Sequence, residues 1–303
     1  MNQMNKTSVL GLNYQQKNFD ERLAKTIYQR FELPEILCNL LASKKVPLAE
    51  VEEFINPKIK TSLSDPFGLK DMKKGVDHLV DAIKNKKKIT IFADYDVDGA
   101  TSSAILKRFL REVYTECEIY IPDRILEGYG PNSNALLKLK EQGTDLVITL
   151  DCGTVSFEPL LQAKEAGLDV IVIDHHIGVA QKPEALAIIN PNSLDDTFEH
   201  KNLCAAGVTF LFIVAVNKTL RELGFYEKTK EPNLLNLLDL VALGTVCDVM
   251  KLTGINRAFV SSGLKILKQR KNLGLKTICD LAGVSEEPSA YHLGFVIGPR
   301  INA

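Results

Sequence analysis

Tryptophan is absent from the 303 residues, and aromatics of all kinds make up only 7%. A protein that grips bases between rings would have few rings to do it with. An excess of one charge is lacking as well. Thirty-seven Lys and Arg against 38 Asp and Glu leave a net charge of −1. Bulk charge therefore announces no nucleic-acid partner, and any such site must be a local basic patch. The six cysteines (38, 117, 152, 204, 247 and 279) are scattered, with no Cys-x-x-Cys pair. That excludes a Cys-pair zinc site and gives no disulfide pattern, so reduced and mostly buried thiols are expected. The amino terminus has no charged segment followed by a long apolar run, which argues against a secretory signal. The longest apolar stretch, around Phe210 to Val216, is far too short to span a bilayer. A cytoplasmic protein with no membrane partner is expected. What is present, 45% hydrophobic and 25% charged residues, is ordinary for a soluble chain with a sizeable core. The length suits two modest domains or one large one. No internal repeat or low-complexity segment stands out.

Residues 15 to 86 read as helical. Ile36, Leu37, Leu40 and Leu41 recur at helical spacing, as do Val51, Phe54 and Ile55, and Asn56-Pro57 breaks the pattern. Asp65-Pro66-Phe67-Gly68 reads as a turn. A helix over about 73–84 leads into Lys86-Lys87-Lys88, read as a solvated helix end before a strand. From Lys88 short apolar strands (89–93, 117–121, 145–150, 169–173) alternate with helices (100–110, 134–142, 157–166). That alternation predicts an α/β fold, a parallel sheet flanked by helices, behind a helical N-terminal segment. The division expected is an N-terminal helical region over 1–87 and an α/β domain over 88–303. Apolar helices are expected over 202–218 and 233–243.

The informative residues stand directly after the strands: Asp94-Tyr95-Asp96-Val97-Asp98-Gly99, Asp151-Cys152-Gly153 and Asp174-His175-His176. Ligands of open parallel sheets bind at the carboxyl ends of strands. These loops would bring five carboxylates and two imidazoles to one edge, a gathering too costly without cations. Hard oxygens with one or two imidazoles suit manganese or magnesium better than zinc. Two ions about 4 Å apart, sharing a carboxylate, fit a phosphoester hydrolase. Each piece alone also has a plain reading. The first is an Asp-rich turn, although it lacks the later Glu of an EF-hand and comes after a strand. Asp151-Cys152-Gly153 is a tight turn in which Cys152 is simply small. Adjacent histidines ending a buried strand are seldom core filler. His78, His200 and His292 lack such a context and read as surface or structural.

The first and third motifs resemble the signature of the DHH phosphoesterases. Further matches point to the RecJ branch of that family: Ile121-Pro122-Asp123-Arg124 with Glu127-Gly128-Tyr129-Gly130, Ile188-Ile189-Asn190-Pro191-Asn192, Leu203-Cys204-Ala205-Ala206-Gly207-Val208, Val241 to Asp248, and Gly298-Pro299-Arg300-Ile301-Asn302-Ala303. The likeness runs from about Leu23 to the last residue. It implies a 5′-to-3′ exonuclease core acting on single-stranded DNA in repair and recombination, with two Mn2+ or Mg2+ ions. By the same resemblance Asp96, Asp98, Asp151, His175 and Asp248 are metal ligands, and Asp151 is shared between the ions. Asp94 and His176 are catalytic, lying close to the ions, with His176 at the scissile phosphate or leaving group. Arg300 holds a 5′ phosphate and Arg124 assists in binding substrate. A single-stranded-DNA-binding protein and a helicase are implied as partners.

Two positions depart from the pattern. Phe92 stands where some members have histidine, and Ala205 where Gly is usual. The resemblance implies that the family continues past this point with a long connecting helix, a second phosphate-gripping domain and an OB-type domain, and a chain without these is expected here. The chain alone is accordingly expected to fold but to digest single-stranded DNA poorly. Two alternatives stand beside the exonuclease core. One is a DHH hydrolase of short oligonucleotides, cyclic dinucleotides or pyrophosphate, and the other is a catalytically weak truncated fragment.

Overall fold

A computed structural model describes residues 6–7, 9–14 and 18–302. The chain divides into two compact units, Met1–Lys58 and Ile59–Ala303. In the first, strands β1 (Lys6–Thr7) and β2 (Asn13–Tyr14) pair antiparallel, and three helices come next: α1 (Glu21–Phe31), α2 (Glu35–Ser43) and α3 (Val51–Ile55). Asp20 caps α1 by accepting from the N–H groups of Arg22 and Leu23 at 2.9 and 3.1 Å. Ala24, Ile27, Cys38, Leu41 and Val51 form a small core. Of the helical set read from the sequence in α2, Leu41 is buried, whereas Ile36, Leu37 and Leu40 face solvent. The helical reading of residues 15–17 lies outside the described residues.

The second unit begins with the short α4 (Ile59–Ser62) and α5 (Met72–Lys84). Met72, Val76, Leu79 and Ile83 repeat on one face of α5, and that face joins the same core as the strands. The α/β unit therefore starts well upstream of Lys88. An amphipathic helix cannot stand apart from the sheet that covers it. The chain continues through β3 (Ile89–Ala93), α6 (Val97–Glu112), β4 (Cys117–Tyr120), α7 (Ser133–Glu141), β5 (Leu146–Leu150), α8 (Phe157–Glu165), β6 (Asp169–Ile173) and β7 (Ala187–Ile189). All five strands are parallel, in the order β4-β3-β5-β6-β7. The order reverses between β3 and β5, the switch point at which parallel sheets open a crevice at their carboxyl edge.

Strand side chains alternate between two cores. Ile89, Ile91, Leu146, Ile148, Ile171 and Ile189 face a thick helical layer of α5, α6, α9 (Ala205–Glu222) and α10 (Leu238–Cys247). Phe92, Val147, Val170 and Val172 face α7 and α8. The last helices are α11 (Gly254–Leu267), α12 (Leu273–Leu281), α13 (Ala290–His292) and, after a π-helical turn over Leu293–Ile297, α14 (Gly298–Ile301). Expected helix 202–218 starts three residues late, at Ala205, because Cys204 is extended. Expected helix 233–243 opens as a 3-10 turn, Leu234–Leu237, before α10. Among the described residues no helix is long and apolar enough to cross a membrane.

Candidate metal centre

The three loops singled out in the sequence meet at the carboxyl edge of the sheet, around the switch point. Each is locked to the next strand: the N–H of Asp94 donates to Leu150 O (3.1 Å), that of Asp151 to Ile173 O (3.0 Å), and that of Asp174 to Ile189 O (3.2 Å). Asp96 caps α6, accepting from Gly99 N at 3.0 Å. A Cβ on Gly99 would lie 2.3 Å from the carbonyl oxygen of Asp94, so only glycine lets the loop fold back this tightly. Asp151 sits at φ +63°, a left-handed conformation that few non-glycine residues adopt. The hydroxyl of Tyr129 donates to its carbonyl oxygen at 3.0 Å.

Asp248 is delivered from a different layer, the end of α10. Beneath it α6, α9 and α10 converge on Gly244. A Cβ there would lie 2.6 Å from Thr101 Oγ1 and 2.8 Å from both Ala206 Cβ and Asp98 Oδ1. Asp98, 1% exposed, spends both oxygens on the start of α9. Oδ2 accepts from Ala205 N at 2.6 Å and Oδ1 from Ala206 N at 2.9 Å. These two N–H groups lie at a helix start, where no intrahelical partner exists for them.

The ligand atoms gather into three overlapping sets, each within 4.8 Å: Asp94, Asp96 and Asp151; Asp151, His175 and His176; Asp98, His175 and Asp248. His175 Nε2 stands 3.2 Å from Asp151 Oδ1, 3.5 Å from Asp248 Oδ2 and 3.8 Å from Asp98 Oδ2. Yet among the described residues Asp151 Oδ1 and Asp248 Oδ2, along with Asp94 Oδ1, are buried without a hydrogen-bond partner. Burial pushes Asp151 and Asp98 well above the carboxylate range, with repulsion from neighbouring acids adding to it. It also lifts Asp94 and Asp248 to about 6 and lowers His175 to about 4. A neutral imidazole therefore adds no positive charge that would help these buried acids to ionise. Such a set of acceptors without a donor fits a hard divalent cation.

The second histidine is held differently. Asp174 Oδ1 takes His176 Nδ1 at 2.7 Å and the N–H of His175 at 2.7 Å. Its Oδ2 accepts from Thr154 Oγ1 at 2.6 Å and Thr154 N at 3.1 Å. Burial alone would raise Asp174, but the bonds from His176 and Thr154 outweigh it and hold the carboxyl at about 2. The same bond raises His176 above its ordinary value. The His176 side chain is 51% exposed, so with Nδ1 engaged it presents Nε2 outward.

Asp94, Asp96, Asp98, Asp151, His175, His176 and Asp248 thus come together. Arg124 lies beside the cluster with its guanidinium 5.1 Å over the Tyr95 ring, close enough to favour the ionised form of Asp94. Arg300 is exposed, and its guanidinium donates to Val296 O at 2.7 Å. The turn before it packs on the end of α10, where a Cβ on Gly298 would lie 2.5 Å from Cys247 Sγ. Phe92 points away from the cluster, stacked on Tyr120 at 5.2 Å. Cys152 is buried in the tight loop, its thiol pushed up by burial. The sequence placed Asp174 among the acids of the edge without showing that it serves His176, and it gave no individual role to Thr154, Tyr129, Asn190 or Asn192. Asn190 Nδ2 donates to Thr154 Oγ1 and His176 O, both at 2.8 Å, and Asn192 Nδ2 to His175 O at 2.6 Å. For these two asparagines the signal was Asn-Pro-Asn after the apolar pair Ile188-Ile189.

The chain is similar to the single-stranded-DNA-specific exonuclease RecJ of Bacillus subtilis, at 34% identity over 285 residues, which cover 94% of this chain and 35% of that protein. The Haemophilus influenzae RecJ is 38% identical over 245 residues, 80% of this chain and 43% of the relative. The chain thus spans less than half the length of these curated relatives. In three dimensions it is similar to exonuclease RecJ bound to manganese, at TM-score 0.68 and 34% identity, covering 77% of this chain and 57% of that one. It is also similar to RecJ of Thermus thermophilus in complex with Mn2+, at TM-score 0.75 and 28% identity, covering 93% and 38%. Residues 88–245, just over half of the sequence, match the N-terminal domain of the DHH family and take in every strand of the parallel sheet and every cluster residue but Asp248, so the chain belongs to the DHH family.

Proposed function

We propose that the strand-end cluster is a two-ion phosphodiesterase centre that hydrolyses single-stranded DNA from its 5′ end. The observation that carries the reading is the trio of buried, partnerless oxygens, Asp94 Oδ1, Asp151 Oδ1 and Asp248 Oδ2. They belong to overlapping ligand sets with Asp151 and His175 in common. Asp94, Asp96 and Asp151 would hold one ion, and Asp151, His175 and Asp248 the other, with Asp151 between them. Manganese or magnesium, when bound, offsets phosphate charge and supplies a nucleophile at neutral pH. Asp98 faces His175, but its oxygens are engaged by α9. Each of those oxygens keeps a second lone pair, so we read Asp98 as a ligand that also fixes the frame of the site, in the set with His175 and Asp248, and Asp94 as a further ligand. His176, aligned by Asp174, would donate its proton to the leaving oxygen, and its raised affinity for that proton suits the task. Arg124 beside the cluster and Arg300 beyond α10 are the cations available to DNA phosphates.

The choice of single-stranded DNA rests on the two RecJ relatives, whose names state that specificity. A DNA-binding protein, a helicase and a cytoplasmic setting belong to the same reading on the resemblance alone. The test gives residues 1–303 with manganese a 5′-phosphorylated oligonucleotide and, separately, a dinucleotide. Metal-dependent cleavage of the dinucleotide, lost in Asp151→Ala, is expected, with slow attack on the long strand. Cleavage of neither in manganese, or cleavage that survives Asp151→Ala, refutes the centre.

A further inference from the structure

The segment between β4 and α7 carries none of the proposed ligands, yet it touches the loops on both sides of the switch point. Arg124 lies over Tyr95, between Asp94 and Asp96. Tyr129, five residues on, donates its hydroxyl proton to the main-chain oxygen of Asp151 at 3.0 Å. The segment is braced from within. Glu127 accepts from the Tyr120 hydroxyl and, at 2.8 Å, from Asp123 N. Asp123 Oδ1 accepts from Ile125 N at 2.9 Å and Leu126 N at 3.0 Å. Tyr129 therefore meets Asp151 from a stiff support. Asp151 needs one, because its own backbone is left-handed and its side chain has a buried oxygen with no partner to aim it. Among the described residues two polar contacts hold its main chain on this edge, the bond from its N–H to Ile173 O and the one from Tyr129. The tyrosine ring also stands edge-on to His176, 6.1 Å between centroids.

We infer that Tyr129 is a positioning residue: its hydroxyl fixes the peptide of Asp151, so that one carboxylate can serve both ion positions. The inference rests on the two-ion reading of the cluster. Groups that orient a ligand from behind typically contribute 10–100-fold to metal affinity. Tyr129→Phe removes one oxygen and keeps the ring against His176, which separates the hydrogen bond from the packing.

The experiment titrates Mn2+ calorimetrically into the wild type, Tyr129→Phe and Asp151→Ala, and records the Mn2+ paramagnetic resonance spectrum of each loaded protein. Two ions bridged by Asp151 give a broad, exchange-coupled signal in the wild type, whereas isolated ions give six sharp lines. In Tyr129→Phe we expect manganese affinity to fall roughly tenfold. Part of the coupled signal should give way to six lines, with metal-free thermal unfolding unchanged. Wild-type affinity and an intact coupled signal in Tyr129→Phe would overturn the inference while leaving the centre standing. So would a loss of affinity matched by a fall in metal-free stability, which marks a merely structural role. A wild type that binds no manganese, or binds it equally well as Asp151→Ala, fails the two-ion reading itself.

Discussion

Replacing Asp94 with asparagine should stabilise the metal-free protein, and only above about pH 4. Asp94 is buried beside Asp96, and burial is the larger reason its carboxyl sits at about 6 and not at 3.8. The folded state therefore binds this proton more tightly than the unfolded chain does. Stability must fall as the pH rises between the two values, and then level off. Forcing the ionised carboxylate into the fold costs about 3 kcal/mol at the ceiling. Solvent reaching the open edge reduces that, so a loss of about 1–3 kcal/mol is expected. Asparagine has the same shape without the charge. In a chelator, urea unfolding followed by circular dichroism should give matching stabilities at pH 4. At pH 8 the variant should be ahead by that amount, or roughly 2–4 °C in Tm for each kcal/mol. Asp248, Asp98 and Asp151 contribute slopes of the same sign to both proteins, so the difference between the two curves isolates Asp94. Saturating manganese should reverse the order, because the wild type gains the larger binding energy. A difference that stays flat from pH 4 to 8 in chelator, or a variant less stable at pH 8, would show that the edge is not strained by its own charge.

His175→Ala should lower manganese affinity at least tenfold by calorimetry, whereas His176→Ala should stay within a few-fold of wild type and lose rate on a dinucleotide. Loss of metal in the second variant alone would exchange the two roles. Gly244→Ala places a methyl where Thr101, Ala206 and Asp98 already meet. It should cost about 1–3 kcal/mol in urea unfolding, and an unchanged midpoint would mean that the three helices can spread. Asp174→Asn keeps the shape of the acid but weakens its hold on His176 Nδ1. The imidazole pKa, followed by NMR in the metal-free protein, should fall from its raised value. A pKa at or above that of the wild type would mean that the raised value has another source.

The sheet could be read from the sequence because its strands are buried on both faces. Ile89–Ala93, Leu146–Leu150 and Asp169–Ile173 appear as nearly unbroken apolar runs ending in acid, a pattern that says both "parallel strand" and "carboxyl edge". β7 escaped notice because three residues, Ala187–Ile189, are too few to establish a period. α11 and α12 escaped because their apolar positions serve α10 and its surroundings, not the sheet, and no motif drew attention to them. Within the cluster, residue type revealed the acids and the imidazoles. It did not reveal which acid is bare and which is partnered. Asp94 and Asp98 lie in one motif four residues apart. One has an orphaned oxygen and the other is clasped by α9, and only the tertiary structure distinguishes them. Tyr129 and Asn190 act through backbone oxygens of other loops, a role that leaves no trace in spacing.

The clasp of Asp98 on Ala205 also constrains how the molecule can be made. The two residues are 107 positions apart, so on the ribosome the acid waits, uncapped and charged, while β4, β5 and β6 are synthesised. Until α9 emerges, no buried home exists for that carboxylate, and the helical face of the sheet has nothing to close it. A fragment cut after β7 should behave as an expanded, chaperone-seeking chain and not as a smaller copy of the domain.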